Sequence, residues 1–358
     1  MQVWQRRCYF TLMMSTKKVR LTTSVRTLSS SSSSSPSFSS VAIVRDLQEL
    51  KERMIAVHSS SSSSSSSQPF LVPRKVKEEQ QDRNKQTPQT ANAATTAAGG
   101  AAASGSVSAT VSTVLTSSSS KEGYDRLLSL FDECEPTTTT VRVEIGQNYM
   151  DAETADIPLT SFAQYLRLLE EEAEEPLALP TVYLAQQDMT TIVPELKNHP
   201  LPISIQCLLE PFDRGSDLCS DPCSDRGRGL PIYPIDVYSR VLWIGGGRTL
   251  SPFHVDPHYN IFEQHRGSKQ FRLISAVESK KLKRSSSALQ QNTMDVDASL
   301  KGVNVVSVVV KEGEELFVPM KWMHEVKPVC VLDESESESE RKNVCVSTTT
   351  WWRPRVVS

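Results

Sequence analysis

His254, Asp256 and His258 occupy alternate positions of the stretch SPFHVDPHYN, residues 251–260, just after a strand-like run and three glycines. In an extended chain alternate side chains leave the same face, so three ionisable groups would point into a stretch otherwise suited to the core. Desolvating them is costly unless something binds them, and a metal ion is one such partner. A further imidazole, His324, lies 70 residues after His254 in VPMKWMHEV, behind the strand-like Glu315–Val318. His254, Asp256 and His324 make a facial set of two imidazoles and one carboxylate, which leaves three positions open on an octahedral metal. That set suits non-haem Fe(II), which must hold a bidentate cosubstrate and molecular oxygen together. With the triad complete, His258 is expected beside it or on the surface. A cosubstrate with a distal carboxylate needs a cation, and Lys269 stands on the next strand-like segment. Lys269, Phe271 and Leu273 share a face by alternation, and the two apolar companions place that face inside. Hydroxyl donors are at hand in Ser251 and Tyr149.

These residues need strands to hold them. From Val237 onward short strand-like runs alternate with Gly, Pro and polar clusters, at 237–244, 259–264, 268–275, 303–310, 315–318 and 343–351. Such a rhythm argues a sandwich or barrel. Ahead of it stand helix-like Tyr124–Phe131, alternating Thr140–Ile145 and strand-like Pro180–Leu184. Between the last two, a helix over 160–170 carries Phe162, Leu166 and Leu169 at helical spacing behind a Ser/Thr cap. The polar stretches 280–300 and 333–342 are expected as exposed inserts.

The first 120 residues differ in kind. Serine runs at 29–35, 59–67 and 117–120 and a Ser/Thr/Ala/Gln-rich composition offer too little apolar surface to offset the entropy of ordering. Residues 1–120 are therefore expected as a disordered leader, dispensable for folding, and 121–358 as the folded domain. Within the leader, Ile43, Leu47, Leu50, Met54 and Val57 follow helical spacing, expected as an isolated marginal helix. No acidic residue precedes Asp46, whereas seven Lys and Arg do. That is the composition of an organellar transit peptide, so mitochondrion and nucleus or cytoplasm are the expected locations.

Several classes are disfavoured. A net charge of −3 and a pI near 6.1 leave no basic field for nucleic acid. The seven cysteines form no pair of pairs for zinc; Cys219 and Cys223 make a CxxxC with no matching second pair. An odd number without secretory context suggests reduced thiols inside the cell. No apolar run reaches the length of a membrane helix.

The stretch LWIGGGRTLSPFHVDPHYNIFEQHRGSKQFRLIS resembles the metal-binding segment of the JmjC/cupin-like Fe(II)- and 2-oxoglutarate-dependent oxygenases. VYLAQQDMTTIVPELKN, GEELFVPMKWMHEV and the closing TTTWWRP match further blocks in the same order, across residues 140–354. The resemblance is greatest to the small JmjC hydroxylases. It implies a mainly β fold with flanking helices, a double-stranded β-helix of jelly-roll type. It implies that His254, Asp256 and His324 hold iron and that Lys269 pairs with the far carboxylate of 2-oxoglutarate, with Ser251 and Tyr149 assisting and Asn260 lining the pocket. Gln187 stands where relatives often carry His, and Thr349 occupies a pocket position that varies among them.

The chemistry so implied is oxidation of a substrate C–H by oxygen, coupled to decarboxylation of 2-oxoglutarate to succinate. A protein or peptide side chain is the expected substrate. Three alternatives stay open: a lysine demethylase, a tRNA-base hydroxylase of the same fold, and a non-catalytic cupin-like binding module. Of the remaining residues, His265 is expected to be an exposed strand residue, Trp351 barrel core, and Cys330 and Cys345 small buried hydrophobes.

Overall fold

A computed structural model describes residues 38–59, 67–86, 115, 120–135, 139–147, 152–171, 179–192, 194–209, 233–282, 300, 302–329 and 343–355. The chain begins with β1 (Phe38–Ser40), β2 (Ala42–Ile43), helix α1 (Leu47–Ser59), β3 (Phe70–Val72) and helix α2 (Arg74–Gln86). Helix α3 (Ser120–Glu133), the pair β4 (Thr140–Ile145) and β5 (Glu153–Pro158), helix α4 (Leu159–Glu171) and β6 (Val182–Asp188) come next. Two short helices, α5 (Met189–Ile192) and α6 (Ile203–Leu209), lead into the final strands. These are β7 (Ile235–Gly246), β8 (Ser251–Val255), β9 (Tyr259–Arg266), β10 (Lys269–Ile274), β11 (Val305–Val310), β12 (Glu315–Val318), β13 (Met323–Pro328) and β14 (Val344–Pro354).

Five strands form one sheet in the order β1-β11-β10-β13-β8, and nine form the other in the order β2-β3-β12-β9-β14-β7-β6-β4-β5. From β7 to β14 the chain changes sheet at every step except the antiparallel pair β10–β11. That winding is the jelly-roll, double-stranded β-helix arrangement, and the flanking helices make the fold mainly β with helical cover. Phe262, Phe271, Leu273, Leu316, Val318 and Trp322 cluster between the two sheets. Helices α3 and α4 cover the β4–β7 end of the large sheet through Leu127, Phe131, Phe162 and Leu166. The tight turn from β9 into β10 contains Gly267 at φ +71°, where a Cβ would lie 2.8 Å from the Cys345 sulfur. Only glycine fits there, and that turn sets the start of the strand that carries Lys269.

The expected leader needs correction. Residues 38–59 and 67–86 belong to the folded body, and its beginning is not at residue 121. Strand β3 pairs with β12, β2 extends that edge, and β1 joins β11. Helix α1 opens with an Asp46 cap, whose Oδ1 accepts the Glu49 N–H. It then buries Leu47, Leu50, Met54 and Val57 against α6, β9 and Trp352. An isolated helix of this length is marginal in water; burial against the sheet is what stabilises it. Composition averaged over 120 residues hid two short apolar segments among serine runs.

The transit-like start, Cys219, Cys223, Cys330, and almost all of 280–300 and 333–342 lie outside the described residues. Strand β5 and strand β13 had no counterpart in the sequence reading. Among the described residues no helix is long and apolar enough to cross a membrane.

Candidate active site

Register brings the donors together. On the antiparallel pair β8–β13, His254 lies directly opposite His324, and their rings are 4.2 Å apart by centroid. Asp256 follows two residues after His254, so its carboxylate leaves the same face. Asp256 Oδ1 lies 3.9 Å from His254 Nε2, and Oδ2 lies 3.6 Å from His324 Nε2. The three donor atoms fall within 4.8 Å of one another.

The ring orientations follow from backbone contacts. His254 Nδ1 lies 2.8 Å from the Pro252 carbonyl and His324 Nδ1 lies 3.2 Å from that of Trp322. A carbonyl only accepts, so each Nδ1 carries a proton and each Nε2 is the nitrogen turned toward Asp256. Burial, reinforced by the neighbouring His254, pulls His324 down to about 4, so that imidazole is neutral at physiological pH. Burial alone would raise Asp256. The two imidazoles and the hydrogen bonds that Oδ2 accepts from Trp351 Nε1 and Asn260 Nδ2, both 2.9 Å, outweigh it and hold the carboxyl low. Two imidazole nitrogens and a carboxylate converging at one point are the donor chemistry of a divalent metal. The residues present fit Fe(II).

A cleft opens beside this point and reaches Lys269. Its lining includes Tyr183, Trp243, Ser251, Asn260, Phe262 and Thr349. Lys269 is 2 % exposed. Its ammonium donates to Ser347 Oγ at 2.8 Å and Tyr183 Oη at 3.3 Å, and it lies 5.5 and 5.6 Å from the Tyr183 and Phe262 ring centroids. No carboxylate among the described residues pairs with it. Burial therefore lowers its pKa to about 8, which the Cys345 thiol opposes only slightly. A buried cation with neutral partners and an adjoining cavity is arranged to receive an anion.

Of the residues singled out in the sequence, His254, Asp256, His324, Lys269, Ser251 and Asn260 converge on this cleft, whereas Tyr149 lies outside the described residues. His258 stays out of the donor cluster and packs against Tyr238, ring centroids 4.4 Å apart. Gln186, at φ 52°, enters the cleft lining, and the neighbouring Gln187 donates to the Ala185 carbonyl instead. Two readings change. Trp351, expected in the core, lines the cleft and donates to Asp256. His265, expected to be exposed, lies half-buried on the opposite face of β9.

Trp243, Tyr183 and Ser347 were missed. Trp243 Nε1 donates to Thr349 Oγ1 at 3.0 Å. A signal existed: in STTTWW, residues Ser347, Thr349 and Trp351 alternate, which places polar groups on one face of a buried strand.

Comparison with known proteins follows the same lines. Residues 65–357 match the family described as "Cupin-like domain". Similar curated proteins include "Lysine-specific demethylase JMJ30" of Arabidopsis thaliana, 28 % identical over 201 residues. "Lysine-specific demethylase 8" of Xenopus tropicalis is 27 % identical over 198 residues, and "Jumonji C domain-containing protein 5" of Drosophila melanogaster 26 % over 197. Each match spans 52 % of this chain and 40 %, 38 % and 44 % of the respective relative, so the chain covers less than half the length of those proteins. With its jelly-roll winding and the family match over most of its length, the chain belongs to the cupin-like domain family.

Proposed function

We propose that this chain is a 2-oxoglutarate-dependent oxygenase that hydroxylates a side chain of a protein or peptide substrate. One observation carries the reading: His254, Asp256 and His324 converge at one end of a cleft, and a buried, carboxylate-free lysine stands inside it. When bound, Fe(II) supplies the oxidising chemistry, coupling oxygen reduction and cosubstrate decarboxylation to attack on a C–H bond. His254, Asp256 and His324 would hold it. Pro252 and Trp322 carbonyls keep both imidazoles in the binding tautomer, and Asn260 and Trp351 aim the carboxylate. Lys269 would take the distal carboxylate of 2-oxoglutarate, with Ser251 and Thr349 on the cleft wall. The apolar walls from Phe262, Phe271 and Trp351 limit water around the reacting atoms.

The names of the Arabidopsis and Xenopus relatives favour a second reading, removal of a methyl group from lysine. It is the same oxidation performed at an N-methyl carbon, whose hydroxymethyl product loses formaldehyde. Both readings predict succinate formation from 2-oxoglutarate that needs Fe(II) and is lost in His254→Ala, together with iron binding in anaerobic titration. Equal iron affinity in wild type and His254→Ala would sink the metal assignment. Mass spectrometry of candidate peptides separates the two reactions: hydroxylation adds an oxygen, demethylation removes a methyl.

A further inference from the structure

The outer face of β9 holds a second convergence of metal-ligating side chains. Because side chains alternate along a strand, Asn260 and Phe262 line the cleft while Glu263 and His265 point the opposite way. There they meet His199, just past the 3₁₀ turn Pro194–Asn198. The His199 and His265 rings stand edge to face with centroids 5.6 Å apart. Ligand atoms of His199, Glu263 and His265 all lie within 4.8 Å of one another.

The hydrogen bonds are incomplete in a telling way. His199 is 4 % exposed, and neither ring nitrogen has a hydrogen-bond partner among the described residues. Thr348 Oγ1 lies 2.8 Å from His265 Nε2 and 3.2 Å from Glu263 Oε2. That hydroxyl can accept from a His265 N–H while donating to Glu263, and the Leu115 backbone also bonds the His265 ring, so the unmet bonding is that of His199. Burial first, with the surrounding positive charges, drives both imidazoles down to about 3, so both offer lone pairs rather than positive charge. Two cations stand near. Lys77 Nζ is 3.2 Å from Glu263 Oε1 and 3.3 Å from Glu315 Oε1, and Arg240 donates to the carbonyls of His199 and Pro200. Lys77 and Arg240 balance Glu263 and Glu315, so an ion here must bind neutral imidazole well and shed charge by ionising its own water.

We infer that His199, Glu263 and His265 bind a structural zinc ion, with water in the fourth position. Zinc favours a four-coordinate site of imidazole and carboxylate and lowers the pKa of its bound water to near neutrality. Such an ion would clamp the segment before α6 onto β9, on the side of the sheet away from the cleft. The inference does not rest on the proposed oxygenase activity.

The test uses the full chain carrying His254→Ala and His324→Ala, so that the candidate active site cannot compete for metal. After chelation, the protein is titrated with zinc alone and bound metal is counted by atomic absorption. One zinc ion per chain is expected, with affinity falling at least about tenfold when His199→Gln is added. X-ray absorption at the zinc edge should show two imidazoles in the first shell. Should the double variant fail to fold, the wild-type chain is titrated instead and must bind one zinc ion more than His199→Gln does. Zero zinc in the folded double variant, or a zinc content that His199→Gln leaves unchanged, overturns the site and assigns its space to water.

Discussion

A lysine stands on each side of the nine-stranded sheet, Lys77 half-buried and Lys269 buried, and the two live under opposite electrostatics. On the outer side Lys77 of α2 lies between Glu263 and Glu315, whose charges outweigh its burial and raise its pKa. Glu315, fully buried, also accepts the Ile203 and Ser204 N–H groups and the Ser204 hydroxyl. Inside, Lys269 has a hydroxyl pair, two aromatic faces and no carboxylate among the described residues. Taking a charge out of water costs several kcal/mol unless a counter-charge is supplied. The outer lysine has its counter-charge from this chain and serves to join α2, α6 and the sheet. The inner one lacks it, next to an open cleft, which is the state expected of a site that waits for an anionic ligand.

The largest expected effect breaks the outer side altogether. Removing residues 1–120 deletes Lys77, α1 and three strands, and uncovers Tyr259, Ile261, Phe317 and Trp352. The truncated chain should lose its cooperative unfolding transition; a sharp transition by circular dichroism would contradict the role given to residues 38–86. Next comes Glu315→Ala, which leaves Lys77 with Glu263 alone and takes the acceptor from the Ile203 and Ser204 N–H groups. A loss of roughly 3–5 kcal/mol is expected, the range for breaking one side of a buried pair, measured by urea denaturation. A change below ~1 kcal/mol would mean water reaches this network.

The pH dependence of stability sharpens the contrast. Lys269 falls from 10.5 to about 8 on folding. Between those values the unfolded chain binds more protons than the folded one, so stability rises with pH across pH 8 to 10.5. The rise attributable to this group is about 3 kcal/mol, at ~1.4 kcal/mol per unit. Lys77 has the opposite sign: its raised pKa contributes stability fully present below 10.5 and lost only as pH climbs through its folded value. Denaturation midpoints of Lys269→Met should therefore lack most of the wild-type gain between pH 8 and 10.5, and identical curves would place Lys269 in water. The smallest effect is on ligand binding. Lys269→Met should keep iron binding but raise the 2-oxoglutarate requirement about tenfold or more, roughly 1.4 kcal/mol for a lost charge-assisted contact. An unchanged requirement in a succinate assay would separate the lysine from the cosubstrate.

The two sides also differ in how far they could be read before folding. The inner side was legible because its signals are local. His254 and Asp256 are two residues apart on one strand, Lys269, Phe271 and Leu273 alternate on the next, and Ser251 and Asn260 flank the pair. The outer side was not. Leu47, Leu50, Met54 and Val57 showed helical spacing, but nothing nearby in sequence says what covers them. Lys77 meets Glu263 and Glu315 across more than 180 residues of chain, and His199 meets His265 across 66. Trp351 and Trp352 are neighbours, yet one reaches the cleft and the other the outer core.

What the sequence by itself determined is the content of individual strands and helices: which residues share a face, where turns interrupt, and which donor types alternate toward one side. These are consequences of backbone geometry within a few residues. The tertiary structure decided which faces meet. It set His324 opposite His254 through the β8–β13 register, gave Lys77 two carboxylates and Lys269 none, and turned a marginal helix among serine runs into core. Burial and charge pairing depend on groups brought together from distant parts of the chain, and no local pattern encodes the partner.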